Sequence, residues 1–97
     1  MADLASAALA WTLSCPSYEL TTRQIALLAI VCDSGMQHVR DLAGTLRVSK
    51  PVVTRAANTL ETLKLVERVK HPDDKRFCLI AATGAGAELR ARMRKLR

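Results

Sequence analysis

Between Ser49 and Leu63 the chain reads SKPVVTRAANTLETL. Lys50, Thr54 and Asn58 stand four residues apart, with Pro51 and Arg55 beside them, so on a helix they share one edge. An ammonium, a hydroxyl, a guanidinium and a carboxamide on one edge supply the donors and acceptors that clamp phosphates and read base edges. The other edge is apolar. Val53, Ala56, Leu60 and Leu63 recur at helical spacing, and such a stripe faces a core. Ser49 is a favoured N-cap type, and Pro51 fits a first turn, where backbone N–H groups have no helical acceptor. The spacing predicts a helix over residues 49–63 that presents its polar edge to a nucleic acid.

The neighbouring elements are those needed to hold such a helix out. Val39 to Leu46 predicts a short helix with Val39, Leu42, Ala43 and Leu46 inward and Arg40, Asp41 and Arg47 outward. Arg47-Val48-Ser49 then joins it to the next helix, with Val48 plugging the corner, which is a helix-turn-helix arrangement. Arg40 and Arg47 flank the first helix of the pair and are placed to touch phosphate. After Leu63 the period changes from helical to alternating over Lys64 to Lys70, as in a strand. His71 to Arg76 forms a polar turn segment, and Phe77 to Ala81 is the returning strand. A helix-turn-helix followed by a hairpin with a charged tip makes a winged helix: a mainly α chain with a small β-hairpin, wing at 71–76.

Upstream, residues 2–14 form an alanine-rich helix candidate with Leu4, Ala8 and Trp11 on one stripe, widened by Leu9 and Leu13. A helix so apolar wants a partner, in its own domain or in a second subunit. Cys15-Pro16-Ser17 breaks it. Thr21 and Gln24 have capping-box spacing ahead of IALLAIVC, and Gly35 closes this second helix, expected to be the most buried. Met36 to His38 is a very short strand or a link. Thr83 caps a last helix whose start Gly84 and Gly86 weaken. Its basic end, Arg90, Arg92, Arg94, Lys95 and Arg97, either binds the DNA backbone or frays in solvent. The whole reads as one domain over 1–97, with 2–14 and 83–97 as flanking helices.

Composition narrows the partner. Net charge is +6 over 97 residues, and every Lys and Arg falls after residue 22. With an isoelectric point near 9.8, this is the electrostatic signature of a nucleic-acid binder. Hydrophobic residues are 49 % of the chain but aromatics only 3 %, so the core is aliphatic and suits close helix packing. Cys15, Cys32 and Cys78 are odd in number and lack a CxxC spacing, which argues against a disulfide framework or a zinc site and fits a reducing cytosol. Cys32 and Cys78 fall at apolar positions and are expected to be inert. Cys15, beside Pro16, is the one thiol placed to react. His38 and His71 read as isolated. The run Ile25 to Cys32 is well short of the ~20 residues that cross a bilayer, and Asp3 stands where a signal peptide would carry positive charge. No nucleophile, acid–base pair or phosphate loop is visible, and no cofactor or metal is expected. These features describe a soluble, cytoplasmic, non-enzymatic chain.

With these pieces in order, the span from Leu20 to about Leu89 resembles the MarR family of bacterial transcription regulators. LTTRQIALL, VRDLAGTLRVSKPVVTRAANTLETLKLVERV, HPDDKR and ATGAGAEL carry the resemblance. It lies in their order and spacing, above all in Asp74-Lys75-Arg76 just before the return strand. It implies a recognition helix in the major groove, with Ser49, Lys50, Thr54 and Arg55 groove-facing. It also implies a wing whose Arg76 enters the minor groove, flanked by Lys75 and held by Asp74. Family members are usually longer, through terminal helices that interleave in a dimer; here the family's glycine before the strand is Lys64. The expected function is sequence-specific binding of double-stranded DNA by a homodimer that regulates transcription, with no small-molecule effector. The alternatives are a winged-helix protein-interaction module and a low-specificity nucleoid protein.

Overall fold

The computed structural model describes residues 3–14, 18–74 and 78–95. In chain order these form α1 (Leu4–Ser14), α2 (Thr22–Ser34), β1 (Gln37–His38), α3 (Val39–Leu46), α4 (Lys50–Thr62), β2 (Val66–Lys70), β3 (Cys78–Ala82) and α5 (Gly84–Arg94). The strands make one antiparallel sheet in the order β1-β3-β2. The segment left open as strand or link is therefore a strand, pairing Gln37 with Ile80 and His38 with Leu79. It widens the expected hairpin into a three-stranded sheet and ties α3 to the root of the wing.

Local signals set the helix starts. Thr21 Oγ1 accepts from Gln24 N–H at 3.1 Å, and Gln24 Oε1 accepts from Thr21 N–H at 2.9 Å, a complete capping box. Only Thr22, Arg23, Asp33 and Ser34, at its two ends, are exposed on α2, so it is the most covered helix, as expected. Its Leu27 and Leu28 meet Leu42 of α3, Val53 and Leu60 of α4, Val66 of β2, Ile80 of β3 and Leu89 of α5 in one aliphatic core. Ser49 stands at the N-cap of α4, but its side chain makes no capping hydrogen bond. Helix α1 divides its apolar stripe between the core and the surface. Trp11 packs against the core, with Ala7 and Ala10 half-buried, while Leu4, Leu9 and Leu13 are 79, 61 and 78 % exposed.

Both helices of the helix-turn-helix end the same way. At the end of α3, Arg47 N–H donates to Gly44 O and Val48 N–H to Ala43 O, with Arg47 at φ 57°. At the end of α4, Lys64 N–H donates to Glu61 O and Leu65 N–H to Leu60 O, with Lys64 at φ 63°. This pairing is the Schellman motif, which requires a left-handed residue just past the helix. A non-glycine there is strained, but a basic side chain is favourable beside the negative helix end. Lys64, where the resemblance implies glycine, occupies that strained position. Lys64→Gly is therefore expected to stabilise the chain by about 0.5–1 kcal/mol, relief of strain outweighing the extra freedom of the unfolded chain. Urea titration checks it; a loss of stability would show that the lysine side chain contributes more than its backbone costs.

The second of these turns is locked from outside. Thr83 N–H donates to Leu65 O at 3.1 Å, and Thr83 Oγ1 donates to Lys64 O at 2.7 Å while accepting from Gly86 N–H at 3.1 Å. Gly86 lies directly on this junction: a Cβ built there would stand 2.1 Å from Leu65 O and 3.2 Å from Leu28 Cδ1. Gly86 does more than weaken the start of α5. It is the residue that lets α5 close onto the α4–β2 turn. Gly84, with open space around it, keeps the weaker role.

The basic end of α5 is corrected in part too. Arg90 donates to both oxygens of Asp33, Nε at 3.1 Å and Nη2 at 2.7 Å, and Arg94 Nη2 reaches Asp33 Oδ1 at 2.6 Å. These two arginines clasp α5 to the end of α2, so they do not simply fray. The guanidiniums of Arg90 and Arg94 hold the Asp33 carboxyl down from its ordinary 3.8 to about 2. The folded chain then keeps Asp33 charged where the unfolded chain protonates it. The stabilisation is fully present above pH ~4 and is lost as pH falls from there toward 2. Asp33→Asn should lower the melting temperature at neutral pH and flatten its fall over that acid range, as thermal melts across pH would show. An unchanged acid limb would mean the clasp contributes nothing.

Candidate nucleic-acid interface

Helix α4 divides as its sequence spacing implied. Val53, Ala56, Ala57 and Leu60 are buried, whereas Lys50, Pro51, Thr54, Arg55 and Asn58 are all exposed. Among the described residues neither Lys50 nor Arg55 pairs with a carboxylate. Ser49 sits at the head of this edge, its hydroxyl not spent on the helix cap. The edge is thus a row of polar groups rigidly backed by the core, with two cations available to an anionic partner.

Around it the structure sorts the other expected residues. Arg40 is exposed and lies 3.8 Å from Asp41, a weak surface pair that leaves it able to meet phosphate. Arg47 is exposed in the turn between α3 and α4. At the root of the wing Asp74 is half-buried, whereas Lys75 and Arg76 lie outside the described residues, as does Cys15. The two histidines are not isolated. His38 and His71 stack with ring centroids 5.6 Å apart, and His71 Nδ1 accepts from Asp73 N–H at 3.1 Å, which joins β1 to the start of the wing. Cys32 is half-buried and gives a weak hydrogen bond to Gly86 O at 3.7 Å. Burial, then the neighbouring Asp33 carboxylate, pushes its thiol up and away from reactivity. Cys78 is half-buried on β3.

Two arginines that sequence reading passed over belong to this face. Arg23, in the first turn of α2, lines an open cleft of about 230 Å³ with Thr21, Val52, Arg55 and Thr59, so its guanidinium extends the cationic edge of α4 onto α2. As the first basic residue of the chain, placed inside a capping box, it carried a readable signal. Arg68, on β2, reaches across to α4, where Nη1 donates to Glu61 Oε1 at 2.7 Å and Nη2 donates to Asn58 Oδ1. Nothing local in the sequence marks that contact.

A sequence model of the MarR family matches residues 18–76, more than half of the chain and the whole span from the start of α2 to the wing. The chain belongs to the MarR family. The HTH-type transcriptional regulator Mb0904 of Mycobacterium bovis is 32 % identical to it over 82 residues, covering 84 % of this chain and 57 % of that relative. Among solved structures, a mutant MarR from E. coli complexed with operator DNA superposes with a TM-score of 0.76 at 27 % identity, covering 80 % of this chain and 56 % of that one. The S. aureus MepR–DNA complex gives 0.74 at 25 %, covering 77 % and 62 %. The chain thus spans little more than half the length of these relatives. Its winged helix-turn-helix fold is that of this MarR-family member.

Proposed function

We propose that this MarR-family chain is a sequence-specific DNA-binding transcription regulator acting as a homodimer in the bacterial cytoplasm, with no catalytic role. One observation carries the reading. On a helix whose far side is fully committed to the core, Lys50, Thr54, Arg55 and Asn58 form an exposed edge, the geometry in which a helix enters a major groove. Relatives of the same family are solved on DNA, MarR of E. coli on its operator and MepR of S. aureus in a DNA complex. In this reading Ser49, Lys50, Pro51, Thr54, Arg55 and Asn58 meet the groove, and Lys75 and Arg76 of the wing, with Asp74 in support, meet the adjoining minor groove. Arg23, Arg40 and Arg47 take phosphates. The exposed Leu4, Leu9 and Leu13 of α1 form the apolar surface that a second subunit covers.

Fluorescence-anisotropy titration of a labelled duplex across a salt series tests the reading. Affinity should fall linearly on a log–log plot as phosphate contacts release counterions, and Arg47→Ala, at an exposed residue assigned to phosphate, should make the slope shallower by about one. A flat salt response, or a slope the Arg47 variant leaves unchanged, would overturn it.

A further inference from the structure

Arg68 is the charged residue of β2 that faces α4, and what it touches there bears on how the exposed edge reads DNA. Its guanidinium is forked across two α4 residues one turn apart: Nη1 on Glu61 Oε1 at 2.7 Å, Nη2 on Asn58 Oδ1. Its side chain is 29 % exposed, so the fork is held against the helix and not swung freely in solvent. An asparagine amide presents an acceptor at one end and two donors at the other. An asparagine reading adenine needs both ends, the oxygen accepting from N6 and the nitrogen donating to N7. Here the oxygen end is engaged by a cation that Glu61 in turn anchors. Because the amide is planar, holding Oδ1 toward β2 turns Nδ2 away from it and prevents the two ends from exchanging. The same contact offsets the negative charge of Glu61, which would otherwise repel phosphate next to the edge.

We propose that Arg68 is a positioning residue for recognition, fixing Asn58 so that it meets DNA as a hydrogen-bond donor through Nδ2. The group it meets is an acceptor: the N7 of either purine, the O6 of guanine, the O4 of thymine, or a phosphate oxygen. Asn58 then does not select adenine by the two-ended contact. The inference rests on the proposal that the α4 edge docks on DNA, and it adds a residue that itself need not touch the duplex.

The test is a double-mutant cycle read on base preference. The full chain, Asn58→Ala, Arg68→Ala, Arg68→Lys and the Asn58→Ala/Arg68→Ala pair are titrated against the preferred duplex of the wild type and against duplexes altered one base pair at a time. Thermal melts run in parallel. Asn58→Ala and Arg68→Ala should each weaken binding roughly threefold to tenfold, and the pair should lose no more than the larger single change. Arg68→Lys keeps the charge but not the fork, so it should retain stability and still lose the preference that Asn58→Ala loses. Where the acceptor is a base edge, the loss falls at one base pair. Where it is a phosphate, the loss is uniform across sequences, and the cycle is still non-additive. Additive losses, or an Arg68→Lys variant with wild-type affinity and preference, would overturn the inference while leaving the DNA reading intact. Wild-type chain that binds no duplex would overturn both.

Discussion

Replacing Gly86 by alanine is expected to be the most damaging single methyl addition in the chain. The new Cβ would stand 2.1 Å from Leu65 O and 3.1 Å from Leu65 C, both backbone atoms, so no side-chain rotation can relieve the clash. Helix α5 must move off the α4–β2 turn instead, breaking the bonds from Thr83 to Lys64 O and Leu65 O. Overpacking of this kind costs about 1–3 kcal/mol, and we place Gly86→Ala near the top of that range. Alanine's better helix propensity offsets up to ~1 kcal/mol. The net loss of about 2 kcal/mol corresponds to a fall of roughly 8–16 °C in melting temperature for a domain of this size. Gly84→Ala is the control, since its Cβ meets nothing within 4 Å; it should leave the melting temperature level or slightly raised. Equal melting temperatures for the two variants would refute the close-approach explanation.

The largest effect on binding should come from Arg55. It lies mid-edge on α4, exposed, and among the described residues no carboxylate holds it, so removing it strands no buried partner. Arg55→Ala should therefore leave stability within about 0.5 kcal/mol of wild type. If the guanidinium makes a bidentate contact to a base, affinity for the preferred duplex drops by ~1–3 kcal/mol, and discrimination relaxes at one base pair. Titrations on duplexes varied at each position check this. A loss equal on every sequence would move Arg55 from base reader to phosphate contact.

Those two residues also show what the sequence can and cannot disclose. Arg55 was readable because the 3.6-residue period places Val53, Ala56 and Leu60 inward and so commits Lys50, Thr54, Arg55 and Asn58 to the other edge. The capping box at Thr21 and Gln24, the proline in the first turn of α4 and the change of period after Leu63 were equally local, and the structure carries each of them. The packing role of Gly86 was not legible because it depends on a carbonyl that the chain brings back from Leu65. Arg90 and Asp33 lie 57 residues apart in sequence, and the His38–His71 stack likewise joins segments that no periodicity links. Arg68 carried no such signal, since alternation tells which residues of a strand share a face but not what that face meets. Leu4 shows the converse: the period grouped it with Trp11 on one stripe, but the helix turns Trp11 to the core and leaves Leu4 outside.

The most direct test is selection from a random duplex pool with the full chain at physiological salt, followed by sequencing of the bound fraction. The α4 edge acting in a homodimer predicts an enriched near-palindrome with half-sites about one helical turn (~10 bp) apart, lost from the Arg55→Ala selection at one position in each half-site. A bound fraction with the same sequence composition as the input pool would contradict sequence-specific recognition by this helix.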